Sequence, residues 1–252
     1  MGTELAGRVA LVTGAGRGIG RAIAAAMARE GAHAIALDLK EADLAETVAT
    51  IRGAGGRADS RVLDITDSAA VRRTVDALAA AYGGIDTVVN NAAWLRYQPL
   101  ADIDEATLDR MFAVAVKGPV FMAQAAVPHM LRRGGGTIVN LSSSAAIRAT
   151  PASASYCAVK AAVAGLTRQL AVDLGPHNIR VNAIAPGFIE TPAAVAKVGA
   201  EGIARRLAIT PLGRLGAAED IAELATFLAS GRSAYVTGEV ILADGGRANA
   251  AL

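Results

Sequence analysis

The stretch Arg8-Val9-Ala10-Leu11-Val12-Thr13-Gly14-Ala15-Gly16-Arg17-Gly18-Ile19-Gly20-Arg21 decides the fold. Arg8 to Thr13 is a short β-branched run that reads as a strand. Gly18 to Glu30 is Ala-rich and amphipathic, and reads as a helix with Ile23 and Met27 inward. Between them Gly14, Gly18 and Gly20 follow the spacing G-x-x-x-G-x-G, with Arg17 and Ile19 inside the turn. Such a turn lets the backbone approach a pyrophosphate, while free N–H groups at the helix start favour its negative charge. The next strand, His33 to Asp38, closes on a carboxylate. Asp38 can accept bonds from adenosine ribose hydroxyls and repels a 2′-phosphate, which favours NAD over NADP. Arg17 pulls the other way, since a cation there can meet a 2′-phosphate. Repulsion and lost ribose bonds at Asp38 are the larger effect, and leave Arg17 to serve the phosphates or pair with Asp38.

Outward from this turn the alternation continues. A helix is expected over Glu41 to Arg52 and a strand over Arg57 to Asp64. Asp67 then caps a helix that reaches Tyr82 and stops at Gly83-Gly84. Ile85 to Asn90 is the fourth strand, Glu105 to Arg132 a long helix, and Thr137 to Ser142 the fifth strand. A helix from Ser155 to Leu174, a strand from Arg180 to Ala185, a helix from Ala217 to Ala229 and a strand from Val240 to Ala243 complete the pattern. Residues 190–211 read as irregular with a short helical pattern, and are expected to form a substrate lid. Seven strands alternating with helices predict an α/β, Rossmann-type doubly wound fold: a seven-stranded parallel sheet with helices on both faces. No linker or repeat divides residues 1–252, so one dinucleotide-binding and catalytic domain is expected.

Composition excludes other classes. Hydrophobic residues make up 53% of the 252 residues but aromatics only 4%, so Ala, Val, Leu and Ile carry the core. That content, with 19% charged residues, rules out a disordered chain. The most apolar run, Met111 to Leu131, contains Lys117, Pro119, Gln124, Pro128 and His129, and reads as a core or interface helix rather than a membrane span. A net charge of +2 without a Lys/Arg-rich run gives no nucleic-acid surface. The single cysteine, Cys157, excludes an intrachain disulfide, and His33, His129 and His177 share no metal-ligand spacing, so no metal is expected. With no apolar signal-peptide core at the start, the cytoplasm is the expected compartment.

Further along, Ser143 precedes Tyr156 and Lys160, which stand at i and i+4 and meet on one face of a helix. Here the chain resembles the short-chain dehydrogenase/reductase family over nearly its whole length. The resemblance rests on Thr13-Gly14-x-x-x-Gly18-Ile19-Gly20, Asp64, Asn90-Asn91-Ala92, Ser143, Tyr156-x-x-x-Lys160, Asn182, Pro186-Gly187, Thr191 and Asp244-Gly245-Gly246.

The chemistry stands beside the resemblance. Tyrosine is a poor base at neutral pH, and a neighbouring ammonium favours its phenolate. Tyr156 can then take an alcohol proton or donate one to a ketone, while Ser143 bonds the substrate oxygen. The resemblance further implies that Lys160 binds the nicotinamide ribose. Asp64, with Ile65 beside it, looks like the acid that reads the adenine amino group. Asn91 and Ala92 are expected to line the adenosine ribose, Pro186, Gly187 and Ile189 to hold the nicotinamide, and Thr191 to bond its carboxamide or a phosphate. Asn182 reads as structural, and Cys157 as a packed small residue.

Two positions depart from the pattern. Ala93 stands where the family usually has Gly, and Ala115 where it often has a catalytic Asn. Hydride transfer is expected to survive the second change, with Ala115→Asn leaving activity similar or raising it. Trp94, Arg96, Tyr97, Ile147, Arg148 and Phe188 are candidate pocket residues, with Arg205 and Arg206 near the end of the lid.

The resulting expectation is an NAD(H)-dependent oxidoreductase interconverting a secondary alcohol and a ketone. A small, largely apolar or cyclic substrate is expected, because few fixed charges fall in the presumed pocket. Rival readings are an NADPH-dependent 3-oxoacyl-carrier-protein reductase and a dinucleotide-binding protein without turnover. The family's helix-packed assemblies, tetramers or dimers, imply a homotetramer, with a dimer as the alternative, through residues 105–132 and 155–174.

Overall fold

Period-two alternation along the strands divides their side chains between two layers. Val9, Leu11, Ile35, Leu37, Val88, Ile138 and Val181 face one side, against Val71, Val75, Met122, Ala126 and Met130. Ala10, Val12, Ala34, Ala36, Val89, Val139 and Ile184 face the other, against Ile23, Met27, Ile221, Ala225 and Leu228. The first layer is lined by bulky residues and the second largely by alanine, so the helices of the second can lie close to the sheet. Each buried Val, Leu or Ile contributes about 1.5–3 kcal/mol of transfer free energy, which makes this two-sided burial the main source of stability.

The computed structural model describes residues 2–250. Its strands are β1 (Val9–Thr13), β2 (His33–Asp38), β3 (Arg57–Val62), β4 (Thr87–Asn90), β5 (Gly136–Leu141), β6 (Ile179–Pro186) and β7 (Val240–Ala243). All pair in parallel, in the order β3-β2-β1-β4-β5-β6-β7. The expected seven-stranded, doubly wound sheet is therefore present. The chain reverses its direction of winding between β1 and β4. In such sheets ligands bind in the crevice outside the carboxyl ends of the strands at this switch point.

Helices α1 (Gly18–Arg29), α2 (Glu41–Gly53) and α3 (Ser68–Tyr82) follow the first three strands. Asp67 caps α3 by accepting from the Ala70 N–H, and Gly83 ends it in the left-handed conformation at φ 79°. The long helix expected over Glu105 to Arg132 is three pieces: α4 (Glu105–Phe112), a π-helical turn over Ala113–Lys117, and α5 (Gly118–Arg132). By length and composition this run could cross a membrane, but Met122, Ala126 and Met130 spend its apolar face on the core.

Helix α6 (Ala154–Leu174) packs on β6, and α8 (Ala218–Ala229) packs on α1. Residues 190–211 differ from expectation, because most of them form helix α7 (Pro192–Ala208). Gly199, at φ 71° and ψ 171°, breaks α7 in two, which is why a continuous helical pattern was not visible in the sequence.

Candidate active site

The glycine turn is held by its carbonyls. The Asn91 side-chain amide donates to the carbonyls of Thr13 at 2.9 Å and Gly14 at 3.1 Å. The Thr47 hydroxyl donates to Ala15 O at 2.9 Å, and Arg21 Nε to Gly16 O at 3.1 Å. Arg21 is itself fixed by Glu46. With the carbonyls engaged on the protein side, the amides at the start of α1 are left for a ligand. Arg17 supplies no side-chain cap there, and the first turn carries no acid.

The glycines allow this geometry for different reasons. A Cβ at Gly20 would lie 2.2 Å from Gly14 O, and one at Gly14 would lie 2.8 Å from Ala92 Cα. A Cβ at Gly18, where φ is +56°, would meet only the Thr191 methyl at 3.6 Å. Gly18 therefore faces open space bounded by Thr191, whose hydroxyl caps α7 by accepting from the Ala194 N–H. This cradle fits the pyrophosphate of a dinucleotide.

Asp38 sits over the same turn. Its Oδ2 accepts from the Gly16 N–H at 3.0 Å and its Oδ1 from the Leu39 N–H at 2.7 Å. The carboxylate keeps lone pairs for ribose hydroxyls. Arg17 is exposed and forms no ion pair with Asp38 among the described residues, contrary to one expectation for it.

Exposed Asp64 turns its Oδ1 to the Thr66 N–H and hydroxyl. Ile65, beside Asp64, is buried, and its side chain fills the space a Cβ at Gly118 would need. Asn91, expected to line the ribose, clamps the glycine turn with its side-chain amide. Ala92 joins it by donating its N–H to the Thr13 hydroxyl at 3.1 Å.

On the other side of the switch point, Ser143 meets Tyr156, and Lys160, one turn further along α6, is fastened to the end of β5. Ser142, just past β5, donates its hydroxyl to Lys160 O at 2.9 Å, and Lys160 Nζ donates to Leu141 O at 2.6 Å. These two bonds fasten α6 to the end of β5. The Ser143 hydroxyl accepts from the Ala145 N–H at 3.1 Å and bonds Tyr156.

Lys160 is 5% exposed, and burial lowers its ammonium to about 8. Burial also pushes the Tyr156 phenol up, and the hydroxyls of Ser143 and Tyr97 only partly offset that by bonding its oxygen. The expected lowering of Tyr156 by Lys160 is therefore not what dominates in the protein alone. Tyr97 lies edge-on to Tyr156 with ring centroids 5.2 Å apart, and burial raises its own hydroxyl well above the ordinary tyrosine range.

Several other expectations resolve here. Asn182 is fully buried and bridges β6 to the segment before β7, donating to Val236 O at 2.8 Å and accepting from the Glu239 N–H at 3.1 Å. Its role is structural. Cys157 packs against the Ser153 hydroxyl at 3.5 Å. Gly187 passes so close to Asp244 that a Cβ would lie 2.8 Å from its Cα, while Pro186 ends β6. Ile189 is buried and bridges to Gly216. Ala93 does not take a positive φ, so nothing in the backbone requires Gly there.

Ala115 lies in the π-helical turn and is 4% exposed, packed with Met111 and Val159 in a cluster that Trp94 and Tyr156 border. The position is an apolar wall behind Tyr156. Arg21, Thr47 and Ser142 were not singled out from the sequence. Each is a common residue type without motif spacing, and its importance comes from neighbours far along the chain.

A family model described as enoyl-(acyl carrier protein) reductase matches residues 14–248. The 3-oxoacyl-[acyl-carrier-protein] reductase FabG of Thermotoga maritima is 42% identical over 243 residues, covering 96% of this chain and 98% of that protein. A gluconate 5-dehydrogenase from Burkholderia cenocepacia, solved with NADP and tartrate, superposes with a TM-score of 0.94 at 35% identity, covering 99% and 98% of the two chains. A 7α-hydroxysteroid dehydrogenase solved with NADH and 7-oxo glycochenodeoxycholic acid gives 0.93 at 36% identity, covering 97% and 95%. The relatives share the architecture and differ in cofactor and substrate.

Proposed function

The chain belongs to the short-chain dehydrogenase/reductase family and is an oxidoreductase of alcohol- and ketone-type substrates, and from that premise we propose that it is NAD(H)-dependent and interconverts a secondary alcohol and a ketone, with Tyr156 as general acid/base. The observation that supports this reading is that Ser143 bonds Tyr156 while Lys160, one turn further along α6, is fastened to the end of β5, at the carboxyl edge of the sheet that also bears the glycine turn. A bound nicotinamide accepts or supplies the hydride. The protein's part is to hold the substrate oxygen and move its proton.

Ser143 donates a hydrogen bond to that oxygen and steadies the charge that develops on it. Tyr156 gives its proton to the oxygen in reduction and takes one in oxidation. Lys160, an ammonium at neutral pH beneath Tyr156, orients the nicotinamide ribose and favours the phenolate as the site closes. Gly14, Arg17, Gly18, Ile19, Gly20 and Thr191 hold the phosphates, with Asp38, Asp64, Asn91 and Ala92 at the adenosine end. Pro186, Gly187 and Ile189 hold the nicotinamide. Helix α7 is the lid of a single catalytic domain.

Asp38 supports NAD, because a 2′-phosphate beside its carboxylate would bring like charges together at a cost of several kcal/mol. Fluorescence titration with NADH and NADPH tests this, and NADH should bind at least about tenfold more tightly, since each 1.4 kcal/mol is a factor of ten. Equal or tighter binding of NADPH would sink the NAD assignment. It would favour the second reading, a 3-oxoacyl-carrier-protein reductase, which the similarity to FabG and the exposed Arg17 support.

The same reading makes the protein a cytoplasmic homotetramer assembled on α4, α5 and α6, where Leu108, Leu131 and Val172 are exposed. Sedimentation equilibrium showing a monomer at micromolar concentration would count against the tetramer.

A further inference from the structure

The lid carries an arginine whose setting the proposed reaction does not use. The Arg206 guanidinium lies 4.8 Å from the centroid of the Phe188 ring, which follows Pro186-Gly187 at the end of β6. Its Nη1 donates back to Gly202 O at 3.0 Å. A Cβ at Gly202 would come within 3.2 Å of that nitrogen, so the glycine makes room for the side chain to fold onto its own helix. Thr210 donates to Arg206 O at 2.7 Å and secures the end of α7. Among the described residues no carboxylate lies within ion-pair distance of Arg206.

A second cation reinforces it. Arg247, on the segment after Asp244-Gly245-Gly246, also lacks a carboxylate partner among the described residues. That segment is anchored, since Arg148 Nη1 donates to Arg247 O at 2.9 Å and Ala248 O at 3.0 Å, while Asp244 accepts from the Ala248 N–H at 2.6 Å. Partial burial lowers Arg206, and the charges of Arg247 and Arg205 lower it further, so two like charges converge there without an acid to balance them. The charge of Arg206 also acts on the Tyr97 hydroxyl, and that hydroxyl bonds Tyr156. The Tyr97 ring, edge-on to Tyr156 with centroids 5.2 Å apart, therefore links the reacting position to the side on which this cation acts.

We propose that Arg206, seated on Phe188, is a specificity-determining residue that binds the carboxylate of a compact hydroxy or oxo acid whose reacting oxygen lies at Tyr156. This rests on the reading of Tyr156 as acid/base and names the substrate class for it. It replaces the largely apolar substrate expected from the sequence, because Arg206 and Arg247 bring positive charge without an acid to the Phe188 side of the site. With Nη1 engaged by Gly202, the Nε and Nη2 edge is the free fork, and two parallel donors match a planar carboxylate. The acid displaces the Tyr97 hydroxyl from Tyr156 and places its own oxygen there.

The test uses the full-length protein saturated with NADH. Acetoacetate, methyl acetoacetate, inorganic phosphate and methanesulfonate are titrated by their effect on NADH fluorescence, and 3-hydroxybutyrate and its methyl ester are assayed for turnover with NAD. Acetoacetate should bind about 10- to 100-fold more tightly than its ester, the range of a hydrogen-bonded charge pair. Arg206→Gln should collapse that ratio toward one, and Arg206→Lys should restore part of it because the charge returns without the fork.

Equal binding of acid and ester by the unaltered protein would overturn the proposal. So would an Arg206→Gln variant that weakens both alike, since Arg206 would then only pin α7 onto Phe188. Phosphate or methanesulfonate competing as strongly as acetoacetate would overturn the carboxylate assignment. Acid-selective binding that depends on Arg206, with no hydride transfer to or from any probe, would leave this site standing and count against the proposed reaction instead.

Discussion

The two sides of the switch point are built differently. Around the glycine turn, backbone meets backbone with no room to spare, as at Gly20, where a Cβ would lie 2.2 Å from Gly14 O. Around helix α7, Gly199 has nothing within 4 Å of its would-be Cβ, and the cations Arg206 and Arg247 find no acid among the described residues. The first side is complete before a ligand arrives. The second keeps unspent charge and open space. A dinucleotide is the same molecule across a family, so its cradle can be rigid. A substrate differs from one member to the next, and its side varies through loops and side chains on a common scaffold.

The largest effect should come at the seam between the two. Tyr156→Phe should lower turnover by about 10²- to 10⁴-fold, the range for losing a general acid/base, with NADH fluorescence still reporting a bound cofactor. In the unaltered protein, oxidation should climb with pH into the alkaline range, because Tyr156 must lose a proton that burial makes it hold more tightly. A flat profile would argue against Tyr156 as the base.

Next is the cost of burying Lys160. Its ammonium falls from 10.5 to about 8 in the folded protein, so between those values the unfolded chain binds the proton and the folded one does not. Stability to urea should therefore rise with pH from about 8 to 10.5, by roughly 3 kcal/mol at most. Lys160→Met should remove that rise, and an unchanged pH dependence in this variant would show that Lys160 is not its source.

Smaller changes contrast the tight side with the open one. Gly20→Ala should cost about 1–3 kcal/mol in stability, as over-packing does, and weaken NADH binding with it. Gly199→Ala meets no neighbour but enters a backbone region essentially reserved for glycine, and should cost about 1–3 kcal/mol while changing KM for substrate rather than NADH affinity. Equal loss of NADH affinity in both variants would erase the distinction drawn here.

Ala115→Asn places an amide against Met111 and Val159, and should destabilise by about 1–3 kcal/mol if no partner takes it up. Turnover per folded molecule should be retained, as the sequence led us to expect. Loss of turnover with full stability would show that the apolar wall is part of the chemistry.

Much of the tight side was legible in the sequence because few residue types satisfy it. Backbone contacts demand glycine at Gly14 and Gly20, a positive φ favours it at Gly18, and a carboxylate ending the second strand is informative in that context. Tyr156 and Lys160 were legible for a similar reason, because an i, i+4 pair needs no tertiary knowledge to be placed on one face. Ile65 and Asn91 were less so. One is buried beneath Gly118 and the other is turned onto the glycine loop, and both outcomes depend on which strand lies next to which. The break of residues 105–132 by a π-helical turn and the kinked helix α7 were likewise hidden, since the local propensities there are ordinary.

By itself the sequence determined the order of elements, the parallel sheet, the glycine turn and the Ser143–Tyr156–Lys160 set. Each follows from local periodicity or from a spacing that sterics restrict to few residues. Only the tertiary structure decided that Asn91, Thr47 and Arg21 hold the turn's carbonyls, and that burial sets the protonation of Tyr156 and Lys160. It also seated Arg206 on the Phe188 ring and brought the charge of Arg247 to bear on it from a separate part of the chain. Desolvation and charge proximity depend on distance through space, and a chain's order of residues does not contain that distance until it folds.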